Sequence, residues 1–324
     1  MRPIIIRIWC CLLALLVCAP AVRAASYPER PVTLVTAFTP GGPSDLLARI
    51  VGQKLSEILH QPFVVEGRPG GGGNIAAEFV AHATADGYTL LLGNNSILAT
   101  NMSLYKQLAY DARRDFAPIS LIGSQANILV VGPKLHVNSM AGLIAFAKAN
   151  PGKLNYASTG YGAAAHLSAE MFKKQAGVDI VMVPYKGSAP ALQDLIGGRI
   201  DMVFATAASV IGYVRSGTLR PLAVTTSKRT GLLPDVATVA ELGLPDFEAT
   251  TWHGLVAPAA TPRDIIDTLN RATSEALKDP AVKKSLMDLG VDINSGSPEE
   301  FAAYIKSEIP KWATVIKASG AQVE

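Results

Sequence analysis

The chain has 324 residues, 49% hydrophobic and 17% charged, which excludes a disordered chain and is too long for one typical core, so two domains are expected. Lys and Arg number 29 against 26 Asp and Glu; three of the basic residues are Arg2, Arg7 and Arg23, so beyond residue 24 the chain carries 26 of each sign. No basic surplus is left to hold nucleic acid or an anionic membrane surface.

Arg2 and Arg7 accompany an apolar run from Ile4 to Val17, and Val22-Arg23-Ala24 supplies small residues for cleavage. This predicts a secretory signal peptide over 1–24, cut after Ala24 with Ala21 and Ala25 as alternatives; the apolar core is too short for a membrane anchor. Val17 stands before Cys18 where lipidation wants a small residue, which argues against a lipoprotein. Cys10, Cys11 and Cys18 are the only cysteines, all in the leader, so disulfides, thiolate nucleophiles and zinc–thiolate sites are not expected in the mature chain.

Beyond the leader, strand-like and helix-like segments alternate. Val32–Phe38 reads as a strand, followed by the glycine turn Gly41-Gly42 and a helix over Ser44–Leu59. Phe63–Val65 is a strand, Gly70–Gly73 a loop, Asn74–His82 a helix and Thr89–Leu92 a strand that ends in Gly93-Asn94-Asn95-Ser96. Ile128–Val131 is a strand, and Met140–Ala149 a helix stopped by Asn150-Pro151-Gly152. A helix over Ala163–Gln175 follows Ser158-Thr159-Gly160. Ile180–Val183, Met202–Phe204 and Leu222–Thr225 are strands, and Pro190–Ile196 is a helix. Arg263–Lys278 and Pro298–Ala318 read as late amphipathic helices. The alternation predicts an α/β chain whose sheets are mostly parallel and flanked by helices. With no flexible linker in sight, the chain is expected to cross between domains near Ile128–Val131 and Leu222–Thr225. That gives domain 1 as 25–127 plus 226–303, domain 2 as 128–225, and a C-terminal helix over 304–324 across both.

In sheets of this kind ligands sit beyond the carboxyl ends of strands, where loops enter helices. Four segments rich in small residues occupy that position: Thr39–Asp45, Gly93–Ser96, Ser158–Gly162 and Tyr185–Ser188. A glycine turn entering a helix exposes backbone N–H groups and the positive end of the helix dipole, a cradle for an anion. Any one of them alone is adequately explained as a turn with a helix cap; together they point to a shared cleft whose candidate contacts include Asn94 and Ser96. Nucleotide readings fail, because Ser158–Gly162 lacks the third glycine of a dinucleotide fingerprint and Gly67–Asn74 lacks the Gly-Lys-Ser/Thr of a phosphate loop. His166 and Glu170 stand four apart on a helix without a third metal ligand. Ser158, Ser168 and His166 suggest a hydrolase only loosely, since no G-x-S-x-G elbow is present. No catalytic residue, metal or cofactor is therefore expected. His253, in Thr251-Trp252-His253-Gly254, either lines a cleft or packs beside Trp252.

Several long motifs carry a resemblance. Tyr27-Pro28-Glu29-Arg30-Pro31, Gly41-Gly42-Pro43-Ser44-Asp45, GRPGGGGNIA (67–76), ADGYTLLLG (85–93), LNYASTGYGAAAHLSAE (154–170) and VPYKGSAPALQDLIGGRID (183–201) together resemble the Bug (TctC-type) periplasmic solute-binding proteins of tripartite tricarboxylate transporters. The similarity runs through the mature chain in order. It implies a two-domain Venus-flytrap fold that closes on a small carboxylated metabolite and delivers it to integral membrane subunits. The loop from Phe38 through Thr39, Gly41, Gly42 and Ser44 to Asp45 would grip a carboxylate through backbone groups and waters in place of an arginine. Ser158, Thr159, Gly160, Gly162 and His166, with Tyr185, Lys186 and Gly187, would form the opposing jaw. Many members carry an acidic residue after the phenylalanine that matches Phe204, where this chain has Ala205-Thr206, so a ligand amine held by that carboxylate is not expected.

The energetics suit such a clamp. A helix N-terminus contributes up to about 2 kcal/mol toward an anion in a partly buried geometry, and charge-assisted hydrogen bonds add about 1.5–3 kcal/mol each. Micromolar binding needs about 8 kcal/mol. The expected protein is a monomeric periplasmic carrier of an organic acid. A sensor for a signalling receptor, and after it a periplasmic hydrolase, are the alternatives.

Overall fold

The computed structural model describes residues 27–37, 41–158, 162–185 and 187–321; the leader and its cysteines lie outside them. The elements run β1 (Val32–Thr36), α1 (Pro43–Leu59), β2 (Phe63–Gly67), α2 (Asn74–Ala81), β3 (Thr89–Asn94), a π turn (Ser96–Thr100), α3 (Asn101–Leu104) and β4 (Phe116–Gln125). They continue with β5 (Asn127–Val131), α4 (Met140–Ala149), β6 (Asn155–Ser158), α5 (Ala164–Ala176), β7 (Val181–Pro184), α6 (Ser188–Ile196), β8 (Met202–Thr206), α7 (Ala207–Arg215) and β9 (Arg220–Val224). The chain closes with β10 (Thr251–Pro258), α8 (Arg263–Ala276), α9 (Pro280–Asp288), β11 (Val291–Ile293) and α10 (Pro298–Ser319).

These strands form two sheets. The first has six strands in the order β11-β4-β10-β3-β1-β2, the second five in the order β7-β6-β8-β5-β9. Strand β1 is parallel to β2 and β3, with Leu34 opposite Val65 on one side and Leu90 on the other. Such a strand has both edges paired and both faces covered, which is why it reads as a nearly unbroken apolar run. Leu47, Val51 and Leu55 of α1 with Ile266 and Leu269 of α8 cover one face over Leu34, Leu90 and Leu255.

The parallel pairs expected from the alternation are present, β6 with β7 and β8 among them. Beside them each sheet holds antiparallel pairs, so the sheets are mixed. Strand β10 runs against β3 and β4, and β5 runs against β8 and β9. These are strands that carry the chain into and out of each sheet. They obey no β–α–β rule, because no crossover helix precedes them.

Direct passage fixes the geometry of the site. Only Ala126 separates β4 from β5, and β4 runs in the same direction as β3, since both are antiparallel to β10. The chain thus leaves the first sheet at the end where β1 and β3 terminate. It enters the second with Asn127 opposite Thr206, the last residue of β8. The carboxyl ends of the parallel strands of both sheets therefore meet at the crossing. The return passage is clasped to it: Asn127 Nδ2 and Thr225 Oγ1 both donate to the Ala249 carbonyl at 2.8 Å, and Thr225 N donates to the Asn127 carbonyl at 2.9 Å.

Helix α10 packs against β4, the π turn and α3 on one side and against α5 on the other. A capping box on Ser297 and Glu300 starts it. It runs unbroken from Pro298 to Ser319. Its Glu308 is buried and accepts hydrogen bonds from the indoles of Trp252 and Trp312, both at 2.9 Å onto Oε2, and from Lys311 Nζ at 2.7 Å onto Oε1. Truncation orphans two buried N–H donors, each costing about 1–3 kcal/mol. Glu308→Ala should lower unfolding stability by about 3 kcal/mol in urea titrations. Glu308→Gln, whose carbonyl oxygen still accepts both indoles, should lose about 1 kcal/mol; equal losses would contradict this account.

Candidate functional site

The same device opens the leading helix of each half. In α1 the N-cap is Gly42, and Asp45 at the third helical position reaches back so that its Oδ2 accepts the Gly41 N–H at 2.9 Å. In α5 the N-cap is Ala163, and His166 at the third position accepts the Gly162 N–H on Nδ1 at 3.1 Å. Both glycines have positive φ, +82° and +75°, which side-chain-bearing residues rarely adopt. In each case a polar side chain ties down the turn before the helix.

The two braces differ in charge. Asp45 is buried and paired with Arg49, Nε to Oδ2 at 2.9 Å; the Arg49 guanidinium holds its carboxyl below the usual range. Burial pushes the His166 pKa down. A histidine accepting an N–H on Nδ1 is neutral there and carries its proton on Nε2. Asp45 thus positions the first loop while its charge is spent on Gly41 and Arg49.

Ser44 couples this loop to a distant strand. Its Oγ lies 2.9 Å from Nε2 of His253 on β10, which stands opposite Asn94 on β3. His253 is only 2% exposed, and burial pushes its pKa down to about 4. Its Nδ1, Thr36 Oγ1 at the end of β1 and Asn95 Oδ1 after β3 are buried without a hydrogen-bond partner among the described residues. Native interiors rarely leave such groups unpaired, so this end of the sheet is built to be hydrogen-bonded by something further. His253 reaches Ser44, while its neighbour Trp252 packs edge-on against Phe301.

Asn94 and Ser96 take local roles, Asn94 Oδ1 accepting the Ile97 N–H at 3.2 Å and the Ser96 carbonyl accepting Thr100 Oγ1 at 3.3 Å. In the second half Ser158 ends β6, buried, and its carbonyl accepts the Tyr185 N–H at 2.8 Å. The Tyr185 hydroxyl turns to Asp194 at 2.8 Å, and burial with that carboxylate pushes its pKa up to about 12. The N–H and the hydroxyl proton of Tyr185 are thus both engaged within the protein. Gly187 caps α6 with φ +130°. Phe204 belongs to the core, its ring 5.8 Å from that of Phe172 and 6.3 Å from that of Phe247. Phe38, Thr39, Thr159, Gly160 and Lys186 lie outside the described residues.

Between α5 and α6, at the carboxyl ends of β6 and β8, is a cavity of about 100 Å³ lined by Asn127, Ser158, Ala164, Ser188, Phe204 and Thr206 among others. A Cβ on Gly162 would run into Leu104 of α3, so the loop before α5 lies against the first half. Glu170 is engaged by the Tyr156 hydroxyl at 3.0 Å and Lys173 at 2.9 Å. Among the described residues no cluster of His, Cys, Asp and Glu suits a metal ion, and no helix is long and apolar enough to cross a membrane.

Two α/β halves joined by paired crossings, with polar groups gathered at their facing strand ends, define a two-domain solute-binding protein. Residues 47–321 match the model of the tripartite tricarboxylate transporter family receptor, and the chain belongs to that family. It is similar to protein BugT of Bordetella pertussis, 40% identical over 307 residues covering 94% of each chain. Among solved structures it is similar to R. palustris Rpa4515 with adipate, at 40% identity and TM-score 0.81 over 92% of this chain and 100% of that one. The structure of MatC from Rhodopseudomonas palustris with bound malate matches at 32% identity and TM-score 0.76, over 90% of this chain and 100% of that one. The protein is a binding receptor and not an enzyme.

Neutral His253 makes stability depend on acid. Its folded pKa of about 4 lies below the ordinary 6.5, so between those values the unfolded chain binds more protons and stability falls as pH falls. His166 acts in the same direction. Urea unfolding followed from pH 7 to 4 should show wild type losing about 3 kcal/mol more than His253→Gln; parallel profiles would refute the assignment.

Proposed function

We propose that the protein captures a small organic carboxylate between its two halves in the periplasm and delivers it to the membrane subunits of a tripartite transporter. The observation that carries this reading is the pair of braced helix entrances, Gly41–Asp45 and Gly162–His166, at the facing carboxyl ends of the two sheets. Helix N-termini with tied-back loops offer N–H donors to an anion without a cationic side chain. Arg49, the basic group in contact with the first brace among the described residues, is already neutralised by Asp45. The related structures with adipate and malate support a carboxylate as ligand.

In this reading 25–127 with 226–303 and 128–225 are the two domains, and the C-terminal helix spans them. Residues 1–24 direct export and are removed, and the mature chain works as a monomer. One ligand carboxylate sits against Phe38–Asp45, and the opposing contacts come from Ser158–Gly160, Gly162, the ring of Tyr185, Lys186 and Gly187. Water is excluded as the halves close, which strengthens each hydrogen bond to the charge.

Loss of the Asp45 brace frees the Gly41 turn, which must then be ordered when ligand binds. Against a dicarboxylate first selected by thermal shift, Asp45→Ala and Ser158→Ala should each weaken binding by about tenfold or more, the worth of one hydrogen bond to a charged group. Calorimetry decides it, and unchanged affinity in both variants would remove this site. In the native host, deletion should abolish uptake of that acid; lost gene induction with normal uptake would make the protein a sensor instead.

A further inference from the structure

The cavity between α5 and α6 contains a polar group that the carboxylate clamp does not use. Asn127, 1% exposed, lines it from the start of β5. The orientation of its amide is fixed by chemistry, because Nδ2 lies 2.8 Å from the Ala249 carbonyl and only the nitrogen can donate to that acceptor. Oδ1 is thus the polar atom left over, and it is buried without a hydrogen-bond partner among the described residues. Its backbone N–H and carbonyl are both held by Thr225, so the side chain cannot swing away without breaking the clasp between the two crossings. A fixed, unpaired carbonyl oxygen asks for one thing, a hydrogen-bond donor.

What else lines the cavity narrows the donor. Thr206 is already committed, its Oγ1 donating to Ser209 Oγ at 3.1 Å. None of the described lining residues is charged, and Ala205 stands beside Thr206, so an ammonium group would enter without a counter-charge, which burial penalises heavily. A hydroxyl carries a donor without a charge. The volume of about 100 Å³ is well above the roughly 10–15 Å³ that a single water requires, so a polar substituent of a small acid fits there.

We propose that Asn127 is a specificity-determining residue whose Oδ1 accepts a hydrogen bond from a hydroxyl on the bound acid, so that the protein selects hydroxylated, amine-free carboxylates. The inference rests on the carboxylate-receptor reading above. It adds a consequence for closure: a ligand hydroxyl on Oδ1 engages the residue that holds both crossings together, joining recognition to the hinge.

The test uses the full mature chain and matched acids: malate, succinate and oxaloacetate, with citrate and tricarballylate. In wild type, calorimetry should rank the hydroxyl compound of a series about tenfold or more above its deoxy partner. The ketone should rank no better than the deoxy acid, since it presents an acceptor to an acceptor. Asn127→Leu should reduce the hydroxyl preference to within about twofold while the deoxy acid still binds. If that variant fails to fold, the ranking of hydroxyl, deoxy and keto acids in wild type decides alone. A deoxy acid bound as well as its hydroxyl partner, or a preference that survives in a folded Asn127→Leu, overturns the inference and leaves the receptor reading standing. A panel in which no acid binds removes both.

Discussion

The structure depends on the shortness of one connection. With a single residue between β4 and β5, the two sheets cannot drift apart or rotate freely, and they must abut at the end where β4 stops. Because β4 points the same way as β1 and β3, that end is where loops enter helices, and so the glycine turns of both halves are delivered to one place. A long linker would have left their relative position undetermined. The second crossing, returning at 225–250, is hydrogen-bonded to the first through Asn127, Thr225 and Ala249. Two crossings bonded side by side permit bending across the clasp more readily than sliding, the requirement for a hinge.

An anion site that relies on backbone N–H groups, as proposed above, has to solve a problem of order. Backbone N–H groups carry only partial charge, so their pull on a ligand depends on several pointing the same way before it arrives. The repeated brace meets that need: a side chain at the third helical position pins the amide of a positive-φ glycine on each side of the cleft. One brace is a carboxylate, and a bare negative charge beside an anion site would repel the ligand; Arg49 cancels it. The other is a histidine kept neutral by burial. Electrostatic cost is thus removed from the positioning groups, and the helix ends act unopposed.

Much of this was legible in the sequence. Gly41-Gly42 before an apolar helix, and Gly162 before another, mark turns and helix starts by local chemistry that needs no tertiary partner. Helices α4 and α10 were bounded closely by Asn150-Pro151-Gly152 and by Pro298. Strands β4 and β10 were not legible, because Pro118, Gly123 and Gly254 interrupt their pattern, and the register shifts at His253/Gly254 and Leu255/Val256 break the period of two. Gly254 is explained only by the fold, since a Cβ there would run into the Phe301 ring. The Ser44–His253 contact joins residues 209 positions apart, and no local pattern announces such a pair. The Tyr185–Asp194 hydrogen bond was likewise not legible, because it forms only once α6 folds back on the strand end.

The distribution of unpaired polar atoms separates two tasks within one cleft. Thr36, Asn95 and His253 lie on the first sheet, beside the braced turn at Gly41. They are neutral groups, two of them able to donate or accept, suited to hold ordered water against a carboxylate, where exact shape matters little and a wide range of acids can be accommodated. Asn127 starts β5 opposite the end of β8 in the second sheet, is an acceptor only at the atom it leaves unpaired, and lines the cavity there. A site with one permissive jaw and one exacting jaw would bind the shared carboxylate through the first and discriminate through the second. Discrimination of that kind is strong because a wrong ligand leaves a buried acceptor unpaired, at a cost the remaining contacts cannot recover.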